Sequence, residues 1–331
     1  MYKPDLIFRA DGNALIGMGH LVRSMALAQM LKSLFRIHFY SIEAPTNFIK
    51  EVADLHFYFF KIETEGDFVE VIKYGDTVVI DHYQIDVSIH TAIRAKGARL
   101  VCIDDLHDRP FDADLIINHA PGVESCDYEA KKYSKFALGP NFAILRPEFL
   151  KAALKRPKRN FNRRLLICFG GSDFNNLTCK AVGAIKMNLF FEEIFVITGV
   201  SFSFRHQLDK QVNLDNRIKW FENLSAKEMV EYMQKCQYVL APSSSIAYEL
   251  LAVGCTWLGG YYVDNQKKIY EGFKKLNFLV DMGDLNKNLI SFLSKYDGTQ
   301  SQYLNKENPI DGKSDLRIKE LFNSYVSSIT C

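Results

Sequence analysis

A turn near the N-terminus combines two glycines with a histidine at the start of a helical pattern. The apolar residues 6–8 are typical of a short strand, and Gly17 and Gly19 supply the turn that follows. Glycine lets a backbone approach a ligand closely, and a helix N-terminus offers unpaired N–H groups that suit phosphate. An imidazole at His20 can act there as a general base near neutral pH. The pattern is also compatible with an ordinary strand–helix turn in which His20 is a cap or surface residue.

Two common phosphate-binding motifs are excluded at this turn. A dinucleotide fingerprint needs a third glycine three residues after Gly19, where this chain has Val22. No Gly-Lys-Ser/Thr sequence follows, so the turn is not a P-loop. The positive end of the helix dipole disfavours a further positive charge, so we expect a neutral imidazole at His20.

A second glycine turn follows the apolar run 165–169 and consists of Gly170, Gly171, Ser172 and Asp173. The glycines again permit close backbone approach, and the serine adds a hydroxyl donor. Asp173 is compatible with two roles, a cap on the next helix or a ligand of a sugar hydroxyl.

A third strand–helix turn carries Ser243 and Ser244 after the apolar run 238–240. Hydroxyls beside the first N–H groups of a helix can bind a diphosphate without a metal. Glu249 follows one turn into that helix, where a carboxylate can accept both hydroxyls of a ribose. The alternative is a capped helix with an acidic residue in its first turns.

Acidic and histidine side chains also follow two apolar strands of the first half of the chain. These side chains would meet at one edge of the sheet and could form a metal site there. No His-x-His or Glu-x-x-His spacing supports a metal site. We therefore expect no metal, and Asp112 and Asp114 are read as loop residues. The strand-end residues are Asp81, His82, Asp104, Asp105 and His107.

Composition limits the class of protein. The 331 residues are 48% hydrophobic and 24% charged, which is enough for two domains with large cores. A formal net charge of +2 argues against broad nucleic-acid binding. Seven cysteines without a Cys-x-x-Cys pair favour reduced thiols in a cytoplasmic enzyme, with Cys168 and Cys255 in the core. The N-terminus lacks a signal peptide's apolar region, and no apolar run is long enough to span a membrane.

Short apolar runs alternate with helical patterns along both halves, which predicts an α/β fold with two parallel-sheet domains. The basic, proline-broken residues 155–160 are interpreted as a linker between domains at 1–154 and 161–331. The last helix, Ser314 to Val326, is expected to pack back on the N-terminal domain. Ligands would bind in a cleft at the carboxyl ends of the strands. The phenylalanine-rich stretch Leu55 to Phe60 is interpreted as a buried strand.

Further strands are predicted from the remaining apolar runs. They are Ile37–Tyr40, Thr77–Ile80, Leu100–Ile103, Leu115–Ile117, Ile194–Ile197 and Ile218–Phe221.

Taken together, these segments resemble the nucleotide-sugar hydrolases of the pseudaminic acid pathway, the PseG family. The resemblance spans nearly the whole chain. It rests on Arg9-Ala10-Asp11, 16–20, Arg23, Asp81-His82-Tyr83, Asp104-Asp105, Asn118, Gly139-Pro140, 145–149, 169–173, Asn176, Ser243-Ser244, Glu249, Asn265-Gln266 and 310–313.

The resemblance implies a MurG-like GT-B fold, in which two Rossmann-like domains flank a central cleft. It implies release of UDP from UDP-2,4-diacetamido-2,4,6-trideoxy-β-L-altrose, or a related nucleotide sugar, by attack of water on the anomeric carbon. The enzyme would be a monomer acting on this small molecule, without cofactor or metal. His20 matches the family's catalytic histidine, and Tyr83 and Asn265 match other active-site positions. The expected substrate-binding residues are Arg9, Asp11, Gly17, Gly19, Gly170, Gly171, Ser172, Ser243, Ser244, Glu249 and Gln266.

Two other functions remain open at this point. An inverting GT-B glycosyltransferase would use the same donor site but require an acceptor. A non-catalytic nucleotide-sugar sensor would bind without turnover, although a histidine beside a diphosphate site argues against it.

Overall fold

A computed structural model describes residues 3–13, 17–156, 161–305 and 307–327. Part of the first glycine turn, residues 14–16, and most of the predicted linker, residues 157–160, lie outside this description. The chain divides into two compact units, one of residues 1–147 with 313–331 and one of residues 148–312. Each unit is an α/β domain built on a parallel sheet, as predicted.

The first domain has a sheet of seven strands within its described residues, in the order β3-β2-β1-β4-β5-β6-β7. All neighbouring strands run parallel. The central strands are apolar because helices cover both faces of such a sheet, and every residue of β4 is buried. The strands are β1 Asp5–Ala10, β2 Arg36–Ser41, β3 Tyr58–Lys61, β4 Thr77–Asp81, β5 Arg99–Ile103, β6 Leu115–Asn118 and β7 Lys135–Leu138.

Helices connect several strands of this sheet, as the alternation of apolar runs and helical patterns in the sequence predicted. Thr64 and Asp67 form a capping box at the start of one of them, which is worth about 1 kcal/mol to a helix end. The helices are α1 Gly19–Leu31, α2 Thr46–Asp54, α3 Glu65–Val71 and α4 Val87–Ala95.

The second domain repeats this order with six strands in its described residues, β10-β9-β8-β11-β12-β13. Its strands are β8 Arg164–Ile167, β9 Glu193–Thr198, β10 Ile218–Glu222, β11 Tyr238–Pro242, β12 Thr256–Tyr261 and β13 Leu279–Asp284. Its helices are α5 Pro147–Leu154, α6 Leu177–Ile185, α7 Arg205–Val212, α8 Ala226–Lys235, α9 Ser245–Val253, α10 Lys267–Lys275 and α11 Leu285–Lys295.

The last helix, α12 (Ser314–Ser327), belongs to the first compact unit. The ring of Phe322 packs against Phe35 at a centroid distance of 6.0 Å. Arg99 Nη1 donates to the carbonyl oxygen of Tyr325 at 2.8 Å. These contacts attach the C-terminal segment to the N-terminal sheet.

Residues 58–60 form a strand as predicted, but the interpretation of the stretch 55–60 as buried is wrong. This stretch leads into β3, which is the edge strand of the first sheet, and Tyr58 and Phe60 are 49% and 41% exposed. An edge strand lacks a neighbour on one side, so its aromatic residues can remain partly in solvent even when they stack on His38. None of the helices in the described part of the chain combines the length and apolar character that a bilayer crossing requires.

Candidate active site

The strand order of the first sheet reverses beside β1, whose neighbours are β2 and β4. At such a switch point the connections leave in opposite directions, and a crevice opens at the carboxyl ends of the strands. The turn that ends at Gly19 follows β1, and His82 and Tyr83 follow β4. Gly17 has a φ of +87°, a left-handed conformation that favours glycine. The fold thus places the first glycine turn where α/β sheets bind ligands.

His20 lies in the first turn of α1 and contacts the last residue of β4. Its Nδ1 is 2.6 Å from Oδ1 of Asp81, and both side chains are buried. Burial acts to raise the pKa of Asp81, but the charges of Arg23 and His20 outweigh it and hold the pKa well below the usual range. An ionised carboxylate can only accept, so Nδ1 of His20 carries the proton. In the neutral ring the lone pair therefore lies on Nε2, the atom suited to take a proton from water.

Arg23 lies one turn further along α1 and bridges two carboxylates. Its Nη2 and Nε donate to Oδ1 and Oδ2 of Asp81 at 2.7 and 2.9 Å. Its Nη1 donates to both oxygens of Asp105, at 2.6 and 2.7 Å. All three side chains are buried, so this fork of ion pairs is held away from water.

Tyr83 joins the same network from the loop after β4. Its hydroxyl donates to Oδ2 of Asp105 at 2.8 Å, and its ring meets His20 edge-on at a centroid distance of 4.4 Å. Burial and the charge of Asp105 raise the pKa of Tyr83 well above its usual value, which keeps the hydroxyl protonated. Tyr83 therefore lies beside His20 and packs against its ring.

A second histidine, His82, stacks near His20 at a centroid distance of 6.1 Å but uses both of its nitrogens. Its Nδ1 accepts from the backbone N–H of Gln84 at 3.1 Å, and its Nε2 is 3.4 Å from Oδ2 of Asp11. Among the described residues, no hydrogen bond engages Nε2 of His20. Of the two neighbouring rings, His20 is thus the one with a nitrogen left for chemistry.

Arg9 and Asp11, predicted to bind substrate, are buried and bonded to other protein groups. Arg9 Nη2 donates to Oδ2 of Asp11 at 2.8 Å, and its Nε donates to Glu65 at 3.0 Å. Oδ1 of Asp11 accepts the N–H groups of Ile42 and Glu43 at 2.8 and 3.0 Å. Asp11 thus links β1 to the loop after β2, whereas Nη1 of Arg9 has no hydrogen-bond partner among the described residues. The substrate-binding role of both residues stays a prediction.

The other acidic residues singled out from the sequence also have partners. Asp104 accepts from the N–H of His107 and from the Tyr128 hydroxyl, at 2.7 and 3.0 Å. Arg94 pairs with both Asp112 and Asp114. In the described ranges of the chain, no three His, Cys, Asp or Glu side chains are arranged to hold a metal ion.

In the second domain the strand order reverses between β8 and β11, and the two predicted phosphate turns follow these strands. Gly170 has a φ of +89°. A Cβ on Gly199, which follows β9, would lie 2.5 Å from the Cα of Gly171, so the two loops meet through bare backbone. The partly exposed Ser172 completes this turn.

Asp173 takes the first of its two possible roles. Its carboxylate accepts the N–H groups of Leu177 and Thr178, both at 2.8 Å, at the start of α6. It is buried, and burial raises the pKa of its carboxyl group. Asp173 is a helix cap.

The two serines after β11 differ in what they offer. The hydroxyl of Ser243 is buried and donates to the carbonyl oxygen of Gly260 at 2.9 Å, so its proton is used inside the domain. This differs from its predicted role as a diphosphate donor. Ser244 precedes α9 without a side-chain cap bond and is partly exposed, so its hydroxyl lies beside the positive helix end.

The remaining predicted residues lie on α9 and on the loop after β12. Glu249 is 7% exposed in the second turn of α9. Oε1 of Gln266 accepts the N–H of Tyr262 at 3.0 Å, which folds the loop, whereas Asn265 is exposed on a short 3₁₀ helix. All of these loops follow the carboxyl ends of the second sheet.

Two contributors were missed as parts of the His20 network. Arg23 and His20 are three residues apart on one helix, a spacing that places side chains on the same face and was a usable signal. His119, which follows β6, is 3% exposed, and burial together with Arg23 lowers its pKa to about 4. Nothing in its local sequence marks it as a neighbour of Asp105.

Comparison with models of known protein families gives no match. Three curated proteins are similar in sequence. An uncharacterized protein of Methanocaldococcus jannaschii is 27% identical over 80% of this chain. The matched region spans only 57% of that protein's length. The UDP-2,4-diacetamido-2,4,6-trideoxy-β-L-altropyranose hydrolase of Campylobacter jejuni is 24% identical over 83% of this chain and 98% of its own. The Bacillus subtilis spore coat polysaccharide biosynthesis protein SpsG is 21% identical over 83% of this chain and 82% of its own.

Solved structures share the architecture at low identity. MurG of Acinetobacter baumannii matches with a TM-score of 0.63 at 10% identity, covering 98% of this chain and 100% of MurG. MnaA of S. aureus, solved with UDP, matches with a TM-score of 0.64 at 12% identity, covering 100% and 98%. The predicted GT-B fold is therefore confirmed, and the chain is similar over most of its length to the PseG-type hydrolase of C. jejuni, as its motifs indicated.

Proposed function

We propose that this chain is a nucleotide-sugar hydrolase that releases UDP from UDP-2,4-diacetamido-2,4,6-trideoxy-β-L-altrose or a closely related UDP-sugar. The observation that carries the proposal is the His20–Asp81–Arg23 arrangement. It leaves one imidazole nitrogen, Nε2, ready to activate water at the switch point of the first sheet. The likeness to the C. jejuni hydrolase, whose name specifies this substrate, supports the choice of sugar.

In the proposed reaction, His20 Nε2 accepts a proton from water as the water oxygen bonds to the anomeric carbon. The bond between that carbon and the phosphate oxygen breaks, and UDP leaves with the electron pair. Asp81 keeps the ring in its tautomer and orientation and stabilises the imidazolium that forms. Tyr83 limits the rotation of the ring by packing on it.

The second domain is proposed to bind the nucleotide. The turn at Gly170–Ser172, Ser244 and the N-terminus of α9 supply donors that stabilise the developing negative charge on the diphosphate. Glu249 would accept the ribose hydroxyls, and Asn265 would contact the sugar.

The direct test is incubation with the UDP-sugar in ¹⁸O-labelled water, followed by phosphorus NMR. We expect UDP to accumulate without an acceptor, and its phosphates to contain no ¹⁸O because the carbon–oxygen bond breaks. Label in the phosphate would show phosphorus–oxygen cleavage instead. Turnover that requires an added acceptor would make the chain a glycosyltransferase.

Glu249→Ala is expected to weaken UDP binding by about 1.5–3 kcal/mol, roughly 10- to 150-fold in Kd, because one charge-assisted contact is lost. Calorimetry with UDP and 2′-deoxy-UDP separates this role from general damage. The unaltered protein should prefer UDP, and the variant should lose most of that preference. Glu222→Ala, at the exposed end of β10, is the control and should bind UDP normally. An unchanged preference in the Glu249 variant would remove it from the ribose site.

Excess EDTA is expected to leave the hydrolysis rate unchanged within error. Arg23 pairs with Asp81 and Asp105, and Arg94 pairs with Asp112 and Asp114, so these carboxylates already have protein partners. The proposed mechanism leaves stabilisation of the diphosphate to fixed dipoles. Phosphorus NMR measures the rate without a metal-dependent coupling enzyme. Loss of activity that Mg²⁺ or Mn²⁺ restores would contradict the metal-free mechanism.

A further inference from the structure

We infer that Arg23 is the positioning residue that sets the proton affinity and orientation of the general base, acting on His20 through Asp81. The inference rests on the proposed role of His20. It goes beyond that proposal because it assigns a function to Arg23, whose side chain binds the carboxylates of Asp81 and Asp105 inside the protein.

The geometry joins Arg23 and His20 at a single atom. Nη2 of Arg23 and Nδ1 of His20 approach the same oxygen, Oδ1 of Asp81, at 2.7 and 2.6 Å. The guanidinium charge therefore lies close to the imidazole and opposes its protonation in a water-poor setting. At the same time it keeps Asp81 ionised, and an ionised Asp81 keeps the proton of neutral His20 on Nδ1.

Arg23 also holds Tyr83 in place, through Asp105. Nη1 of Arg23 holds both oxygens of Asp105, and Asp105 accepts the hydroxyl of Tyr83. Since the ring of Tyr83 lies against His20, one guanidinium orients the base from two sides. A lysine has a single ammonium and cannot reproduce both arms of this fork.

Opposite charges in the cluster predict opposite effects. Loss of the positive charge at Arg23 should make His20 hold its proton more tightly, so the acidic limb of the kcat/KM profile moves to higher pH. Loss of the negative charge at Asp105 should move it to lower pH. The titratable groups that face this part of the site are Asp81, His82, Tyr83, Asp105 and His119.

The experiment follows the His20 imidazole by ¹⁵N NMR against pH, with His20→Asn to assign its signals, in parallel with kcat/KM profiles. In Arg23→Met the His20 titration should rise by about one to two pH units, because the charge of Asp81 is no longer balanced by a guanidinium. Arg23→Lys, which keeps the charge, should titrate near the unaltered protein while kcat falls about tenfold or more from misplacement.

Removing Arg23 leaves two buried carboxylates without their partner, so Arg23→Met can fail to fold. In that case the nearly isosteric Asp105→Asn tests the inference, because it should shift the His20 titration to lower pH. Arg217→Met is the matched control, since Arg217 also binds a carboxylate, Asp215, and backbone carbonyls, but in the second domain. It should lower stability without moving the His20 titration.

An unmoved His20 titration in folded Arg23→Met or Asp105→Asn would overturn the inference and leave Arg23 a purely structural role. The NMR titration needs no turnover. If no UDP-sugar is hydrolysed but the titration moves as described, the proposed function fails while the control of His20 by Arg23 stands.

Discussion

Replacing His20 with asparagine is expected to lower kcat by about two to four orders of magnitude, the usual contribution of a general base. Asparagine can keep a hydrogen bond to Asp81 but has no nitrogen that takes up a proton near neutral pH. UDP affinity should change little, because the proposed nucleotide site lies in the second domain. Single-turnover UDP release and calorimetric UDP binding measure the two quantities separately.

His38→Asn is the matched control for this experiment. His38 also contacts an aspartate, with Nε2 at 3.0 Å from Oδ1 of Asp5, and Asp5 also pairs with an arginine, Arg36. That group lies at the amino ends of β1 and β2, the opposite edge of the same sheet. Turnover should stay normal in the control, and near-normal turnover in His20→Asn would end its assignment as the base.

Asp81→Asn is expected to lower kcat by about two to three orders of magnitude while KM changes little. Arg23 donates to both oxygens of this carboxylate, and His20 donates to one of them. An amide has one acceptor, so in either orientation its NH₂ group faces a donor. With NH₂ toward His20, the imidazole is driven to the tautomer that carries its proton on Nε2, and the base is blocked.

Asp81→Asn also weakens a buried ion pair. The melting temperature of this variant and the tautomer of its His20 ring, measured by ¹⁵N NMR, are therefore compared with its rate. Asp5→Asn changes the equivalent carboxylate at the other sheet edge and should leave the rate normal. A folded Asp81→Asn protein with Nδ1–H on His20 and full activity would show that Asp81 does not orient the base.

The alternation of apolar runs and helical patterns was enough to predict the two α/β domains. Most strands read from the sequence are present, because a strand buried on both faces has a continuous apolar run. Three were missed for local reasons. β12 contains Gly259 and Gly260, and glycine weakens a strand pattern. β7 and β13 are edge strands with exposed or polar positions.

The glycines of β12 have a tertiary explanation. A Cβ on Gly260 would lie 2.4 Å from the carbonyl oxygen of Gly283 on β13, and one on Gly259 would overlap the ring of Trp257. Glycine is required there by close packing, which no local pattern reveals.

The candidate site divides in the same way. The glycine turn at a helix start selected His20, and the strand-end pattern selected Asp81 and Asp105, because the carboxyl ends of neighbouring parallel strands meet. Tyr83 was assigned from the family resemblance. Local sequence could not show which polar groups are already used. Two histidines lie side by side. Nδ1 of His82 accepts from Gln84 and its Nε2 faces Asp11, whereas no hydrogen bond from a described residue engages Nε2 of His20.

Local sequence patterns were therefore sufficient for the fold class, the glycine turns and the residue types of the proposed site. The tertiary structure decided the partners: it buried Arg9 and Asp11, turned Ser243 toward Gly260 and bound Arg23 to two carboxylates. The physical reason is the distance along the chain over which each signal acts. Hydrophobic periodicity is local, whereas a hydrogen-bond partner is set by the strand order that brings β1, β4 and β5 to one edge of the sheet.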